Sequence, residues 1–423
     1  MAGFGFALTG GSAEHLIRMD AAKRSALLKE LFGTGPDEVG FSYIRLTVGA
    51  SDLNSFVYSY NDLPEGERDD DLEKFDLGQD RVDVIPVMKE ILAIQPDIEI
   101  MASPWSAPAW MKEEFNVRGG HLRKDCYATY ADYFVRYIRE MAREGIPISA
   151  LTIQNEPLNN RNTPSMPWFP EEQEEFLSRH LIPALKEAGL DIKLVLFDHN
   201  LDRIDYPLYL LQNPVISEYA DGSGFHHYMG HMEAMSTLHT ARPDKNLYFT
   251  EQMVIEDPES TTIEIARQVR RMIIDVSRNW STNVLLWNLA ADPLNDPHTD
   301  NGGCPMCQGA ITIDGNEVSR NIAYYVIAHA SKFVRPGSRR IASTGPGDRS
   351  VELTQDEQRP YIHRVAVVED SRVLPNVAFR TPDGHTVLIV ANDSHDTRHI
   401  QIQFRGQFAT LPLAPGAVGT YVW

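Results

Sequence analysis

The sequence predicts an α/β protein, in which a (β/α)8 or TIM barrel is followed by a C-terminal antiparallel β-sandwich side domain. Eight short apolar runs alternate with segments of helical periodicity over most of the 423 residues, as is typical of parallel strands in a closed barrel. After about Arg339 the pattern changes to period-two alternation, which is typical of antiparallel strands. We therefore expect a barrel at residues 1–335 and a side domain at residues 336–423.

The apolar runs define the eight predicted barrel strands. They are Phe4 to Thr9, Phe41 to Val48, Ile98 to Ser103, Ala150 to Gln154, Lys193 to Phe197, Gly224 to Tyr228, Leu247 to Thr250 and Asn283 to Leu289. Between them, "DAAKRSALLKELF" and "TYADYFVRYIREMAREG" have apolar residues at helical spacing, and the second ends at Gly145 as helices commonly do. A third segment starts with Pro170 and acidic residues and closes at Gly189, matching the preferences of helix ends.

The C-terminal part contains three alternating segments, "YIHRVAVVED", "NVAFRTPDGHTVLIVAND" and "HIQIQF". The "PDGH" within the second segment predicts a hairpin turn. Pro336 and Gly337 in "VRPGSRR" break the last helical pattern, so the boundary between the two domains is expected there.

Composition excludes several classes of protein. The formal net charge is -20, from 59 acidic and 39 basic residues, and no Lys/Arg cluster offers a nucleic-acid surface. No stretch of about 18 apolar residues predicts a membrane span. Three cysteines are too few for a disulfide scaffold. The start, "MAGFGFALTGG", lacks the layout of a signal peptide but opens directly into a strand. Removal of an upstream signal would make the protein secreted or periplasmic, and otherwise it would be cytoplasmic.

Polar residues cluster at the C-terminal ends of the predicted strands, where (β/α)8 barrels carry their chemistry. The strand ends are marked by Asp52, "SPWSAPAW", Asn155 with Glu156, "FDHN", "HHY", "TEQ" and Trp287 with Asn288. Two of these ends carry a glutamate, Glu156 after the fourth strand and Glu251 after the seventh. Glycoside hydrolysis requires at least a pair of carboxyl groups, and these two glutamates would provide them at one barrel mouth. Nearby aromatic residues could pack on sugar rings, namely Trp105, Trp110, Tyr228 and Trp287.

The chain resembles glycoside hydrolase family 30, the glucosylceramidase family, over nearly its whole length. The resemblance is carried by "GFGFALTGGSA", "YIRLTVGASDL", "ASPWSAPAWMK", "LTIQNEP", "FHHY", "LYFTEQ", "LLWNLAAD" and "NGGC" in this order and spacing. It implies a retaining mechanism, with Glu156 as acid/base and Glu251 as nucleophile. It also implies that Asn155 holds the sugar 2-hydroxyl. The remaining sugar-binding positions that it implies are Asp52, Trp105 and Trp287.

The sequence departs from the family in three places. His226, His227 and Tyr228 stand where lysosomal members resemble "HWY", and we expect all three to contact substrate. The loop "DNGGCPMC" looks closer to microbial β-1,6-glucanase-like relatives than to lysosomal ones. The N-terminal strands that usually complete the side β-sandwich are absent. The expected substrate is therefore a β-glucoside, glucan or glycolipid. Endo-β-1,6-glucanase and β-xylosidase activities of the same family are the alternatives to a glucosylceramidase-type β-glucosidase.

Simpler interpretations remain for several of these residues. Asp52 could cap a loop, Trp105 and Trp287 could be core packing, and the glutamates could be strand-end acids in salt bridges. A non-catalytic sugar-binding barrel is the alternative from another class. A metal site on His226, His227 and His231 is disfavoured because adjacent residues on a strand point to opposite faces, so we expect no metal and no cofactor.

Two further stretches allow more than one interpretation. Cys304 and Cys307 of "CPMC" form either a loop disulfide or two free thiols, because no second pair exists for a structural zinc site. The acidic run "ERDDDLEKFD" is interpreted as a solvated loop, since its spacing does not match that of calcium ligands.

Overall fold

The first eight strands form the closed parallel barrel that the sequence predicts, in which the first strand pairs with both the second and the eighth. The computed structural model describes residues 1–256, 264–344 and 374–423, together with the backbone of residues 350–356 and 359–368. The barrel strands are β1 (Gly3–Leu8), β2 (Tyr43–Val48), β3 (Glu99–Pro104), β4 (Ala150–Thr152), β5 (Lys193–Asn200), β6 (Gly222–His226), β7 (Asn246–Glu251) and β8 (Ser281–Asn288).

Helices surround the barrel between successive strands. They are α1 (Gly10–Arg18), α2 (Ala21–Phe32), α3 (Val84–Ile94), α4 (Tyr127–Arg143), α5 (Pro170–Phe176), α6 (Ile182–Glu187), α7 (Asp205–Leu210), α8 (Pro214–Tyr219), α9 (Glu233–Ala241), α10 (Glu264–Val269), α11 (Val276–Arg278) and α12 (Ile322–Ser331). Wider π-type turns at Leu177–Leu181 and Arg270–Asp275 join α5 to α6 and α10 to α11. Within the described residues, no helix is long and apolar enough to cross a membrane.

The predicted strands differ from the observed ones by three residues or fewer at either end. The largest difference is in β5, which continues through Asp198 to Asn200 because a bulge between Phe197 and His199 keeps the strand paired with β6. The helix predictions hold as well: α2, α4 and the α5–α6 segment lie where the periodicity placed them. Gly145 and Gly189 follow α4 and α6 with φ of 83° and 66°, a left-handed conformation that glycine adopts without steric penalty.

Side chains from alternate positions fill the barrel as a packed layer. This layer consists of Tyr43, Met101, Ala150, Val195, Tyr248 and Leu285, which form one buried apolar cluster. Because the side-chain period of a strand is two, the residues two positions further along each strand point into the barrel one layer higher. That higher layer lies directly beneath the C-terminal mouth and contains the buried polar residues Arg45, Ser103, Thr152 and Thr250.

The C-terminal part contains the predicted antiparallel sheets. One four-stranded sheet has the order β12 (Arg339–Ile341), β15 (Asn376–Arg380), β16 (Thr386–Ala391) and β19 (Val418–Val422), and β17 (Arg398–Phe404) pairs with β18 (Gln407–Leu413). The backbone pair β13 (Ser350–Asp356) and β14 (Arg359–Val368) contains most of "YIHRVAVVED", whose last two residues lie outside the described residues. Three short strands in the barrel loops, β9 (Ala290–Ala291), β10 (Ile311–Asp314) and β11 (Glu317–Arg320), form a separate small sheet.

The side domain is joined to the barrel helices by polar contacts. Arg270 forms a salt bridge of 2.6 Å with Asp393, and Nε of Arg278 donates to the carbonyl of Asn376 at 2.6 Å. The "PDGH" turn connects β15 to β16, as predicted. The division of the chain at residue 336 stays a prediction.

We predict that Gly5→Ala lowers the free energy of unfolding by more than about 3 kcal/mol, within the range of severe steric defects. A Cβ atom at this position of β1 would lie 1.8 Å from the carbonyl oxygen of Tyr43, and a backbone atom inside a closed barrel cannot move aside. Gly315→Ala is the matched control. Its Cβ meets nothing within 4 Å, so only the left-handed backbone penalty of about 1–2 kcal/mol applies. Urea denaturation of both variants measures the difference, and equal losses would contradict the prediction.

Candidate active site

A buried arginine lies at the centre of the polar layer beneath the barrel mouth. Arg45 stands two residues after Tyr43 on β2 and is fully buried. Its guanidinium donates to Glu251 at 2.6 Å, to Asn155 at 2.8 Å and to Asp198 at 2.8 Å. Burial by itself disfavours the charged form, but the neighbouring carboxylates raise the pKa of Arg45 above its ordinary value. One fixed positive charge therefore orients groups at the ends of three strands, β4, β5 and β7.

Asp198 forms the second fixed point of the site. Its Oδ2 accepts from Thr152 at 2.7 Å as well as from Arg45, and its Oδ1 lies 3.1 Å from Nε2 of His226. Burial alone would raise the pKa of Asp198, but the charge of Arg45 and the hydrogen bond from His226 hold it well below its usual range. Asp198 is therefore an anion that keeps a proton on Nε2 of His226.

Glu156 enters the site through an irregular strand end. Its backbone has φ of 47°, a left-handed conformation that is uncommon outside glycine and is typical of functional sites. The backbone N–H of Asn155 donates to Pro104 and that of Glu156 donates to the carbonyl of Asp198, which anchors the turn to both neighbouring strands. Nδ2 of Asn159 donates to Oε2 of Glu156 at 2.6 Å. This turn directs the carboxylate into the barrel mouth.

Glu251 and Glu156 face each other on either side of His226. Nδ1 of His226 lies 3.3 Å from Oε1 of Glu156 and 3.6 Å from Oε1 of Glu251. One oxygen of each glutamate and one nitrogen of His226 all lie within 4.8 Å of one another. Carboxylates about 5 Å apart suit a retaining mechanism, and separations of about 6.5–9.5 Å suit inversion. The hydroxyl of Tyr228 donates to Oε1 of Glu251 at 3.0 Å and fixes that carboxylate further.

The two glutamates have pKa values shifted in opposite directions. Burial tends to raise the pKa of Glu156, but the hydrogen bond and charge of His226, with help from His199 and Asn159, lower it to about 2. Burial and the charge of Glu156 raise the pKa of Glu251, although the charges of His226 and Arg45 oppose the shift. Without substrate, Glu156 is thus the more acidic of the two. An acid/base residue has to carry a proton in the first step, so that role for Glu156 suggests the opposite order of the two pKa values.

His226 carries a proton in this arrangement. Burial lowers its pKa, but the surrounding carboxylates Glu251, Asp198 and Glu156 outweigh burial and raise the pKa to about 10. The same three atoms of Glu156, His226 and Glu251 have the spacing of metal ligands. A protonated imidazole has no free lone pair for a metal ion, however, and both of its nitrogens already face carboxylates. These groups therefore fit proton transfer better than metal binding.

Two tryptophans and Asp52 close one end of the site. Trp105 and Trp287 stack with ring centroids 5.2 Å apart, and Nε1 of Trp105 donates to Oδ1 of Asp52 at 3.1 Å. Burial, together with the charges of Glu251 and Glu156, raises the pKa of Asp52 to about 8. Asp52 can therefore keep a proton at neutral pH and act as both donor and acceptor toward a hydroxyl group.

These residues surround a cavity of about 630 Å³ at the barrel mouth. Its lining combines residues from the ends of the barrel strands with residues of the loops that follow them. The lining residues are Asp52, Trp105, Asn155, Glu156, Leu158, Asn159, Arg161, Asn162, His199, Asn200, Asp202, Arg203, Tyr228, Met229, Glu251, Met253, Trp287, Cys304 and Cys307. Cys304 and Cys307 form a disulfide, which is one of the two states that the sequence left open.

Most of the residues predicted from the sequence meet in this cavity. Asp52, Trp105, Asn155, Glu156, Tyr228, Glu251 and Trp287 all line it, and His226 lies directly behind the two glutamates. His227 does not line the cavity. Neighbouring residues of a strand point to opposite faces, and the side chain of His226 points into the barrel. Trp110 also lies elsewhere, buried with its Nε1 donating to Asn61.

The sequence-based prediction missed Arg45 and Asp198. Arg45 lies in the middle of an apolar strand, and Asp198 stands within the "FDHN" end of β5 without having been given a role. The sequence did contain a signal for Arg45, which is a charged residue inside an otherwise apolar strand. An unpaired buried charge is very unfavourable. Such a residue implies a buried partner of opposite charge.

Comparison with known proteins identifies the family. The profile of the "Glycosyl hydrolase family 30 TIM-barrel domain" matches residues 1–334, and that of the "Glycosyl hydrolase family 30 beta sandwich domain" matches residues 363–421. An endo-1,6-beta-D-glucanase of Trichoderma harzianum is 31% identical over 81% of this chain and 71% of its own. The lysosomal acid glucosylceramidase of Mus musculus is 27% identical over 100% of this chain and 80% of its own.

Solved structures give the same result. The endo-beta1,6-glucanase BT3312 superposes with a TM-score of 0.87 at 33% sequence identity, covering 100% of this chain and 91% of that one. SrfJ from Salmonella typhimurium has the same TM-score at 27% identity, covering 100% of this chain and 89% of that one. With both domains matched and the paired carboxylates at the barrel mouth, this chain belongs to glycosyl hydrolase family 30 and is a glycoside hydrolase.

Proposed function

We propose that the enzyme hydrolyses β-glucosidic bonds with retention, using Glu156 as acid/base and Glu251 as nucleophile. The observation that carries this proposal is the close approach of the two carboxylates, whose facing oxygens lie within 4.8 Å of each other around His226. This spacing leaves room for direct attack on an anomeric carbon, while inversion needs space for an intervening water. The tryptophan pair and Asp52 form the end of the cavity that would hold the glucosyl ring.

In the first step, a carboxylate oxygen of Glu251 attacks the anomeric carbon while Glu156 protonates the departing glycosidic oxygen. Arg45 holds the other oxygen, Oε2, and Tyr228 binds the attacking oxygen, Oε1. In the second step, Glu156 accepts a proton from water, which attacks the glycosyl-enzyme and releases Glu251. Asn155 is fixed by Arg45 next to the acid/base, where its free amide nitrogen could donate to the sugar 2-hydroxyl.

His226 provides the proton that Glu156 needs in the first step. The low pKa of Glu156 and the high pKa of His226 place this proton on Nδ1 of His226, 3.3 Å from Oε1 of Glu156. Transfer along that contact gives a neutral imidazole and a protonated Glu156, and Nε2 of His226 keeps its own proton against Asp198. In the ligand-free site the pKa order opposes this transfer, so Glu156 can act as the acid only when bound substrate reverses the order.

The substrate that fits the cavity best is a β-glucan with a sugar on the leaving-group side, such as a β-1,6-linked glucan. Asn159, Arg161 and Asn162 form a hydrophilic wall next to Glu156. Arg161 is exposed, and no described residue accepts from its guanidinium, so it can donate to sugar hydroxyls. Relatives named as endo-1,6-beta-D-glucanases are 31–32% identical to this chain, which supports this choice over glucosylceramide.

We predict that azide distinguishes the roles of the two glutamates. Glu156→Ala should still form the glycosyl-enzyme from an aryl β-glucoside whose phenol leaves unaided, and azide should then release the β-glucosyl azide. Glu251→Ala should lose turnover with every leaving group, and azide should give the α-azide instead. NMR of the isolated products assigns the anomer. The same anomer from both variants, or no rescue of either, would contradict the assignment.

We predict that His226 stabilises the fold in a pH-dependent manner. Its pKa is raised from about 6.5 in the unfolded chain to about 10 in the folded protein, so its contribution is complete below pH 6.5 and is lost as the pH rises through 10. His226→Gln should lower the free energy of unfolding by about 3–5 kcal/mol at pH 6 and by clearly less at pH 10. Urea denaturation measures this, with the exposed His395→Gln as control. A loss that does not change with pH would refute the charged state of His226.

We predict that Arg161→Ala reduces kcat/KM on β-1,6-gluco-oligosaccharides about tenfold or more, because a hydrogen bond from a charged donor contributes about 1.5–3 kcal/mol. An aryl β-glucoside has no sugar on the leaving-group side, so its kcat/KM should change less than about twofold. Arg179→Ala, on a surface turn with 74% of its side chain exposed, is the matched control. Equal losses on both substrates would show that Arg161 does not contact the acceptor sugar.

A further inference from the structure

The loop that follows β8 brings a disulfide to the wall of the catalytic cavity. Cys304 and Cys307 are bonded to each other, and both line the cavity together with the two glutamates. Cys307 is 4% exposed and packs in one cluster with Trp105 and Trp287. Cys304 is partly buried at the edge of the same cluster. A disulfide at this position contacts the sugar-binding end of the site.

The disulfide also contacts the segment that carries the nucleophile. Sγ of Cys307 lies 3.5 Å from Sδ of Met253, two residues after Glu251. The backbone N–H of Met253 donates to the hydroxyl of Tyr228 at 3.0 Å, and that hydroxyl donates to Oε1 of Glu251 at 3.0 Å. A continuous path of contacts therefore runs from the disulfide through Met253 and Tyr228 to the nucleophile.

Hydrogen bonds from other parts of the chain hold the backbone of this loop at several points. The N–H of Thr299 donates to the carbonyl of Asp52 at 2.9 Å, and Nδ2 of Asn288 donates to the carbonyl of Cys307 at 3.3 Å. Between these points, the N–H of Thr163 donates to the carbonyl of Gly302 at 3.4 Å, and Nδ2 of Asn295 donates to the carbonyl of Pro305 at 3.5 Å. These bonds hold the backbone, whereas the covalent bond between the two sulfurs constrains the side chain of Cys307, which contacts Met253.

We infer that the Cys304–Cys307 disulfide is a positioning element of the active site, which holds Met253 and Tyr228 against Glu251 and thereby sets the rate of turnover. The inference rests on the nucleophile role proposed for Glu251. The bond closes a loop with a sequence separation of only three residues, and such short loops constrain the unfolded chain less than long ones. Its main effect is thus local, on the cavity wall.

Reduction of this bond would convert the enzyme from its disulfide form to a dithiol form. A dithiol reductant supplies two electrons and two protons, its own sulfurs form a disulfide, and Cys304 and Cys307 become thiols. The two freed sulfurs then separate to non-bonded distance, which displaces Cys307 from Met253. Loss of the contact between Met253 and Tyr228 would leave Oε1 of Glu251 less well oriented, and a loss of orientation lowers kcat.

The test compares the disulfide and dithiol forms of the whole enzyme on an aryl β-glucoside. The chain has three cysteines, and Cys126 is free and buried, so thiol titration in denaturant should give one thiol for the first form and three for the second. We expect reduction to lower kcat about tenfold, and reoxidation to restore it. Circular dichroism at the assay temperature monitors the fold of both forms. Equal kcat values would overturn the inference, as would an unfolded dithiol form.

Variants separate the positioning role from a merely structural one. Cys304→Ser should have the low kcat of the dithiol form and should no longer respond to the reductant, while Cys126→Ala should respond as the unchanged chain does. In Met253→Ala, reduction should lower kcat much less. The substitution and the reduction both remove the contact between Cys307 and Met253, so their effects are not additive. Met253→Leu, which keeps the apolar contact, should retain most of the response. A full response in Met253→Ala would exclude this path.

The outcomes also distinguish this inference from the proposed function. Absence of turnover by the disulfide form on every β-glucoside would refute the proposed function. Turnover that is equal in the two forms would refute only the role of the disulfide.

Discussion

The ion-pair network around Arg45 is the interaction on which the rest of the site depends. A fully buried guanidinium in the barrel is unfavourable by itself, because transfer of a charge out of water is not recovered unless partners surround it. Asp198 and Glu251 provide that compensation, and Asn155 and Ser103 accept further hydrogen bonds from the guanidinium. In return, Arg45 reduces the repulsion among the carboxylates that glycoside hydrolysis requires in one small volume. Loss of any partner would leave the others with uncompensated charge.

The same network explains why regular strand geometry ends where it does. Glu156 and Asp198 both have left-handed backbones, with φ of 47° and 64°, and Asp198 lies in a bulge of β5. These conformations are unfavourable for side chains other than glycine, and they persist because hydrogen bonds to neighbouring strands fix them. The resulting turns aim the two carboxylates at His226 from adjacent strand ends. Below this layer, the barrel is filled by packed apolar side chains.

The loops after the strands divide the cavity into chemically different walls. Asn159, Arg161 and Asn162 line the side of Glu156, while Met253 and the Cys304–Cys307 disulfide line the side of Glu251. Trp105 and Trp287 close the remaining end. Sugar rings have polar edges and apolar faces, so a cavity with one hydrophilic wall and one apolar wall suits them on both counts.

The sequence by itself determined the fold class, the eight strands and most of the cavity. Hydrophobic periodicity is a local property, and polar residues at the ends of parallel strands must meet at one barrel mouth, so Asp52, Asn155, Glu156, Glu251 and Trp287 could be placed together in advance. Only the tertiary structure showed that Arg45 and Asp198 connect them, because a buried ion pair joins residues 153 positions apart in the chain. It also decided which of two adjacent histidines faces inward, since strand register determines the side that each residue takes. The pKa values of the two glutamates likewise depend on distances of 3–4 Å to His226, and such distances arise only when the barrel closes.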